Sequence, residues 1–359
     1  MKILLNPGPV NLSERVRNAL LKQDLCHREV EFSNLQNSIR EKLLDIYSLP
    51  AEEYTAVLIT GSGTSTVEAM ICSLIPKDGK LLIIENGVYG ERLSKIARIY
   101  NILHQSLTYP WGKQIKVVDV ENKLADGFTH LSLVHHETTT GRLNDIATIA
   151  EVCHSKNTPI LLDAVSSFGA EEIEFKRWNI AACSATANKC LHGVPGTSFV
   201  IVNRDILAQA KSVQRSLYLD LHSYIAQQDI GGTPFTQSVQ SFYALNEALT
   251  EHRDEGGWTC RRESYKERME AVVNGLANLG IEPLLPAGVS SCVLNSFHLP
   301  NSIDYQTLHD KLKQHGFIIY AGQGNFAKSI FRISLMGCIT TNNIEDLLSA
   351  IKSIISEQK

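Results

Sequence analysis

Lys189 sits in the stretch SATANKCLHGVPG, residues 184–196, among small and polar residues between two apolar runs. In a partly enclosed cleft a lysine loses enough of its pKa to attack an aldehyde and form an imine; on an open surface it is only a solvated charge. Asp163 ends the apolar run PILLD. A carboxylate at the inner end of a strand is costly unless it meets a cation or a strong donor, such as a protonated heterocyclic nitrogen; otherwise it serves as a helix cap. Gly61-Ser62-Gly63-Thr64 follows a third apolar run and opens a helical pattern. Such a turn offers backbone N–H groups, hydroxyls and the positive end of a helix dipole to a phosphate, although the same residues also make an ordinary capped turn. No Gly-Lys-Ser/Thr follows and no G-x-G-x-x-G spacing fits, so the turn is neither a Walker loop nor a dinucleotide fingerprint.

A phosphate turn, a carboxylate for a ring nitrogen and an imine-forming lysine are together what pyridoxal 5'-phosphate requires. Tyr89, in NGVYG after the run KLLIIE, is placed to stack on one face of such a ring. Val165, two residues beyond Asp163 on the same side of an extended segment, is placed to pack on the other. Thr139, in HHETTTG after LSLV, has a hydroxyl to donate to the ring hydroxyl. Taken singly, these three read equally well as a core tyrosine, a core valine and a turn threonine.

The elements that must position these groups are legible between about Val57 and Val202, where TAVLIT, KLLIIEN, THLSLVH, TPILLDA and TSFVIVN alternate with helical periodicities. That alternation predicts an α/β core with a mostly parallel sheet sandwiched by helices, and ligands in such sheets bind outside the carboxyl ends of the strands. After Gly232 a long amphipathic pattern, QSVQSFYALNEALTEHRDEGG, ends in Gly-Gly and leads into a smaller α+β domain. There we expect a helix through YKERMEAVVNGLANLG, a strand at SCVLNSFHL, a helix at YQTLHDKLKQHG, a strand at SIFRISL and a final helix whose Asn342 and Glu345 have capping-box spacing.

Composition narrows the function further. A net charge of −4 without a basic cluster excludes a nucleic-acid footprint and favours small-molecule partners. Eight cysteines without a C-x-x-C or Cys/His metal spacing predict reduced thiols and no metal site. The amino terminus, MKILLNPGPV, carries too short an apolar run for an export signal, and no run approaches the roughly 20 apolar residues of a membrane helix. The expectation is a cytoplasmic protein with no membrane partner.

The segments LLNPGPVNLSERVRNAL, LITGSGTSTVEAM, NGVYGERL, HHETTTGRLNDI, DAVSSFGA, SATANKCLHGVPGTSFVI, RSLYLDL and FRISLMG run in that order through most of the chain. They resemble the class V aminotransferases of the fold type I pyridoxal-phosphate enzymes, and within them the 2-aminoethylphosphonate–pyruvate group. The resemblance implies a segment over residues 1–15 closing the substrate pocket, a large cofactor domain over 16–250, a small domain over 251–359, and a homodimer with sites at the subunit boundary. It implies Lys189 as the cofactor lysine and catalytic base, Asp163 at the pyridine nitrogen, and Ser62, Gly63 and Thr64 at the phosphate. Thr233, in GGTPFTQS, would reach the phosphate from the neighbouring subunit, with Ile230 where some relatives carry an aromatic residue. Arg332, in SIFRIS, would grip the acidic group of the substrate, while the backbone at Gly8 and Pro9 closes the pocket. One departure stands out: DLCHREVEFSNLQ looks like the His-Arg element of phosphoserine aminotransferases, so His27 and Arg28 are expected to hold a phosphonate. The reaction implied is transfer of the amino group of 2-aminoethylphosphonate to pyruvate. The alternatives are a class V enzyme for another acidic amine, such as an alanine–glyoxylate or hydroxylated-aminophosphonate enzyme, and a non-catalytic phosphate-ligand binder. Cys338 is a weak counterpart for the loop cysteine of a desulfurase.

Overall fold

A computed structural model describes residues 2–210 and 212–357. The chain opens with a short strand β1 (Ile3–Leu4), then helices α1 (Glu14–Ala19) and α2 (Val30–Asp45). The central sheet and its covering helices follow in alternation: β2 (Tyr54–Gly61), α3 (Gly63–Leu74), β3 (Lys80–Glu85), α4 (Val88–Ile99), β4 (Leu103–Thr108), α5 (Val117–Leu124) and β5 (His130–Val134). A tight hairpin of β6 (His136–Glu137) and β7 (Arg142–Leu143) precedes α6 (Ile146–Ser155), β8 (Ile160–Asp163), β9 (Ile180–Thr186) and β10 (Gly196–Asn203). Helices α7 (Arg204–Gln209), α8 (Leu221–Gln228), α9 (Val239–Asp254) and α10 (Gly257–Ala277) lead into β11 (Leu294–His298), α11 (Tyr305–Gln314), β12 (Phe317–Ile318), β13 (Tyr320–Ala321), β14 (Ile330–Ser334) and α12 (Thr341–Ser356).

Seven strands form the central sheet in the order β2-β10-β9-β8-β5-β3-β4. The run from β9 to β4 is parallel, and β10 alone lies antiparallel to both its neighbours. Because β10 reverses twice, β2 points the same way as β9, and the carboxyl ends of β2, β3, β5, β8 and β9 share one edge. Buried Val, Ile and Leu on both faces explain the continuous apolar runs. One face packs against α2, α5, α6 and α9 through Phe32, Ile39, Val120, Ile149 and Phe242, and the other against α3, α4 and α8 through Met70, Leu93 and Tyr224.

Edge strand β4, LHQSLT, escaped the sequence pattern because its residues are exposed or half-buried throughout, as suits an edge that must not pair further. The carboxyl-terminal sheet is β11-β14-β13, backed by α10 and α12. β1 pairs in parallel with β12, so Ile3, Leu5 and Val10 join the core made by α10, β14 and α12. Gly256 and Gly257 take φ of +98° and +77° between α9 and α10, and there the chain passes from one core to the other. The capping box of α12 differs from expectation. Thr340 is the N-cap and Asn343 its partner, not Asn342 and Glu345, because the extended Thr340 starts the helix at Thr341 and the two side chains satisfy each other's backbone N–H. Among the described residues no helix is long and apolar enough to cross a membrane.

Candidate active site

The strand ends on the common edge bring most of the predicted residues together. Ser62 caps α3 without spending its side chain on a cap bond, so its hydroxyl and the first-turn N–H groups of Gly63 and Thr64 stay available to an anion. Glycine is required at 63, since a Cβ there would lie 2.8 Å from Val165 Cγ1. The predicted phosphate turn thus abuts the residue predicted to pack on the ring. Val165 is held in turn by its N–H, which donates to Asp163 Oδ1 at 3.0 Å.

Lys189 lies in a turn after β9 closed by Gly193 N–H to Ala187 O at 2.8 Å and by His192 N–H to Lys189 O at 2.9 Å. His192 takes a left-handed φ of +61° and accepts the Gly337 N–H on Nε2 at 2.8 Å, which ties this turn to the carboxyl-terminal domain. The ammonium donates to the Pro7 carbonyl, and Gly8, with φ of +97°, lies so close that a Cβ would stand 2.9 Å from Lys189 Cδ. The amino-terminal segment therefore lies directly on the lysine. Burial lowers the Lys189 pKa to about 8.

Asp163 is buried with one backbone donor and, among the described residues, no paired cation, and that burial pushes its carboxyl up to about 6, against the weaker fields of Arg92 and Lys189. A buried carboxylate this poorly compensated is a site awaiting a positive partner. A protonated pyridine nitrogen supplies that partner, so the residues present fit pyridoxal phosphate at both ends. The fit is less direct at Thr139. Its hydroxyl donates to Glu137 Oε1 at 2.5 Å and accepts the Val88 N–H at 3.0 Å. The buried carboxylate of Glu137 takes the proton that was expected for the ring hydroxyl, leaving Thr139 only a lone pair to offer.

Arg332 is buried between β11 and β13, where Nε donates to Ala321 O and Nη1 to Thr138 O, both at 2.9 Å. Among the described residues no carboxylate lies within ion-pair distance, so three of its five donors remain for an acid. Burial lowers its pKa, yet a guanidinium stays charged. Within one chain the remaining candidates stay apart. Thr233 is buried with its hydroxyl on Phe235 O and Gln237 Nε2, His27 is half-buried and Arg28 exposed, and among the described residues none of the three is hydrogen-bonded to Lys189, Asp163 or the 62–64 turn.

Three residues at the site carried no assigned role in the sequence reading. Glu137 accepts the N–H groups of Tyr89 and Gly90 at 3.2 Å each, tying β6 to the first turn of α4, and burial pushes it up to about 7. His136 donates from Nδ1 to Ser166 O at 3.0 Å, stays neutral with its pKa pushed down to about 4 by burial, and among the described residues leaves Nε2 without a partner. Arg92 donates to Thr64 Oγ1 at 3.1 Å and lies 4.7 Å from the centre of the Tyr89 ring. Its three-residue spacing from Tyr89 on one helical face was the available signal. Among the described residues no group of three or more His, Cys, Asp or Glu is placed to hold a metal ion.

Comparison with known proteins accords with this geometry. The aminotransferase class-V family matches residues 14–347. The chain is 38% identical to a 2-aminoethylphosphonate–pyruvate transaminase of Vibrio vulnificus over 98% of this chain and 96% of that one. It is 37% identical to a bifunctional phosphonoacetaldehyde hydrolase/aminoethylphosphonate transaminase of Clostridioides difficile, covering 99% of this chain but only 56% of that longer protein. The crystal structure of an alanine–glyoxylate aminotransferase from Nostoc superposes with a TM-score of 0.92 over 99% of this chain and 95% of that chain at 24% identity, a likeness of fold. A match over residues 14–347, together with near-complete alignment to curated relatives, places the chain in the class V aminotransferase family, whose members work through pyridoxal 5'-phosphate.

Proposed function

We propose that the chain transfers the amino group of 2-aminoethylphosphonate to pyruvate, giving phosphonoacetaldehyde and L-alanine. The observation that carries the reading is the pairing of a half-buried Lys189, its pKa lowered to about 8, with the buried Asp163 on one sheet edge, beside an Arg332 that among the described residues has no carboxylate partner. The names of the relatives from Vibrio vulnificus and Clostridioides difficile supply the substrate. When bound, pyridoxal phosphate supplies an electrophilic aldehyde for amines and an electron sink for the bond that breaks at the substrate carbon.

The protein's residues do the rest. Ser62 Oγ and the N–H groups of Gly63 and Thr64 would hold the phosphate, with Val165 and Tyr89 as the residues to pack against the ring. Asp163 would balance the charge of a protonated ring nitrogen. Lys189, with a pKa near 8, is deprotonated in part close to neutrality, so its Nζ would take a proton from the substrate carbon as a general base and deliver it to the cofactor carbon as a general acid. Pro7 and Gly8 lie over that Nζ and keep water from it. Arg332 orients the substrate's acidic group with its planar fork.

The same reading makes the protein a cytoplasmic homodimer, with residues 1–15, 16–250 and 251–359 as pocket-closing segment, cofactor domain and small domain. Leu21, Val30, Leu217 and Ile230 are exposed at 83%, 63%, 84% and 78%, an apolar supply that supports association, and all eight cysteines are free. Across the dimer Thr233 would reach the partner's cofactor phosphate, and His27 with Arg28 would hold the phosphonate. A side-by-side donor screen tests the reading. Alanine should form from pyruvate with 2-aminoethylphosphonate faster than with a hydroxylated aminophosphonate, and faster than glyoxylate is aminated by alanine or serine. Absence of turnover with the phosphonate defeats the substrate assignment.

A further inference from the structure

The turn predicted to hold the cofactor phosphate contains only neutral donors. Ser62 through Thr66 carries no cation, and the end of a helix contributes roughly half a positive charge, against about −1.5 to −2 on a phosphate monoester. A dianion so placed remains under-compensated unless a side chain from elsewhere supplies charge. Arg92 is positioned to do so. From α4 it donates one Nη1–H to Thr64 Oγ1 at 3.1 Å, and its guanidinium carbon lies 4.7 Å from the centre of the Tyr89 ring.

Two features set it apart from an ordinary surface arginine. It is half-buried, and among the described residues it has no carboxylate partner and no hydrogen bond beyond the one to Thr64, leaving four of its donors unspent. Its charge also reaches the chemistry, since it lowers the pKa of both Asp163 and Lys189. The bond to Thr64 has a directional consequence: an oxygen that accepts from Arg92 must aim its own proton elsewhere, and Thr64 itself belongs to the first turn of α3, where the phosphate would lie.

We propose that Arg92 is a positioning residue of the phosphate subsite, which supplies its positive charge and turns the Thr64 hydroxyl toward the phosphate while pinning the Tyr89 ring. This rests on the pyridoxal-phosphate reading above. It predicts that Arg92 discriminates for the phosphorylated form of the cofactor, whereas a residue that only props Tyr89 would serve the phosphorylated and unphosphorylated forms alike.

The test is titration of cofactor-free wild type, Arg92→Gln and Arg92→Lys with pyridoxal 5'-phosphate and separately with pyridoxal, followed by visible absorbance and tryptophan fluorescence. Arg92→Gln should weaken binding of the phosphorylated form by about 10- to 100-fold and of pyridoxal by less than about threefold, with Arg92→Lys in between. Phosphorus NMR of the bound cofactor should show a phosphate that stays dianionic through mildly acidic pH in wild type and titrates in Arg92→Gln. Equal loss for both ligands, or no loss in either variant, overturns the proposal. A wild type that binds neither ligand overturns the cofactor reading, and this proposal with it, so the two failures are told apart.

Discussion

Replacing Asp163 by Asn should make the cofactor-free protein more stable while it disables the enzyme. In the folded chain the Asp163 carboxyl is raised from its ordinary 3.8 to about 6 by burial, so the native state holds a proton that the unfolded chain releases. Wild-type stability contributed by this group therefore falls as pH rises from about 4 to about 6 and is level beyond. The difference of about 2 pKa units, at about 1.4 kcal/mol each, amounts to roughly 3 kcal/mol of strain near pH 8. An amide keeps the oxygen that accepts the Val165 N–H but must place an NH2, which returns about 1 kcal/mol of that gain. The net expectation is a stabilisation of about 2 kcal/mol near pH 8 that disappears between about pH 4 and 5 and turns into a destabilisation of about 1 kcal/mol at lower pH. Losing this anion also drops Lys189 further below about 8, since Asp163 is one of the charges holding it up. Urea unfolding of both proteins, stripped of cofactor, at several pH values measures the stability, and alanine formation measures the loss of turnover. Should the variant be less stable than wild type near pH 8, or the difference not change with pH, Asp163 is already compensated and the inferred need for a cationic ring nitrogen fails.

Three further changes probe the surroundings. Gly63→Ala puts a Cβ 2.8 Å from Val165 Cγ1, so it should cost about 1–3 kcal/mol in thermal unfolding and weaken cofactor binding, with Val165→Ala relieving the stability loss. Arg332→Gln should raise KM for the phosphonate donor by about 100-fold or more in steady-state assays while leaving cofactor affinity nearly unchanged; an unaltered KM would remove Arg332 from substrate binding. Ile230→Glu combined with Leu217→Glu places charges at two strongly exposed apolar positions and should give monomers with weakened cofactor binding in sedimentation and titration, whereas an unchanged dimer would locate the subunit contact elsewhere.

The strand ends carrying Asp163 and the glycine turn were legible because β2, β3, β5, β8 and β10 are buried on both faces and write themselves as continuous apolar runs, whereas β9, also buried throughout, is hidden by the small residues of IAACSAT. β4 was not, since an edge strand has no apolar face to display. Residue types sufficed to single out Lys189 and Asp163, of which Asp163 is buried and Lys189 half-buried. They did not suffice for Arg92 and Glu137, whose meaning comes from what lies across the cleft: Arg92 reaches from α4 to Thr64 on α3, and Glu137 reaches from the hairpin to the same α4. Thr139 shows the same limit in reverse, because its hydroxyl proton goes to a neighbour two residues away that spacing alone left free. The contact of Pro7 O with Lys189 is made by backbone, which no residue type announces.

The central claim is a covalent bond between the cofactor and one named side chain, and reduction of the holoenzyme with borohydride followed by peptide mass spectrometry tests it most directly. The account predicts a single pyridoxyl-phosphate adduct on Lys189, absent from Lys189→Ala. An adduct on any other lysine, or an unmodified Lys189 peptide from fully loaded enzyme, would contradict it.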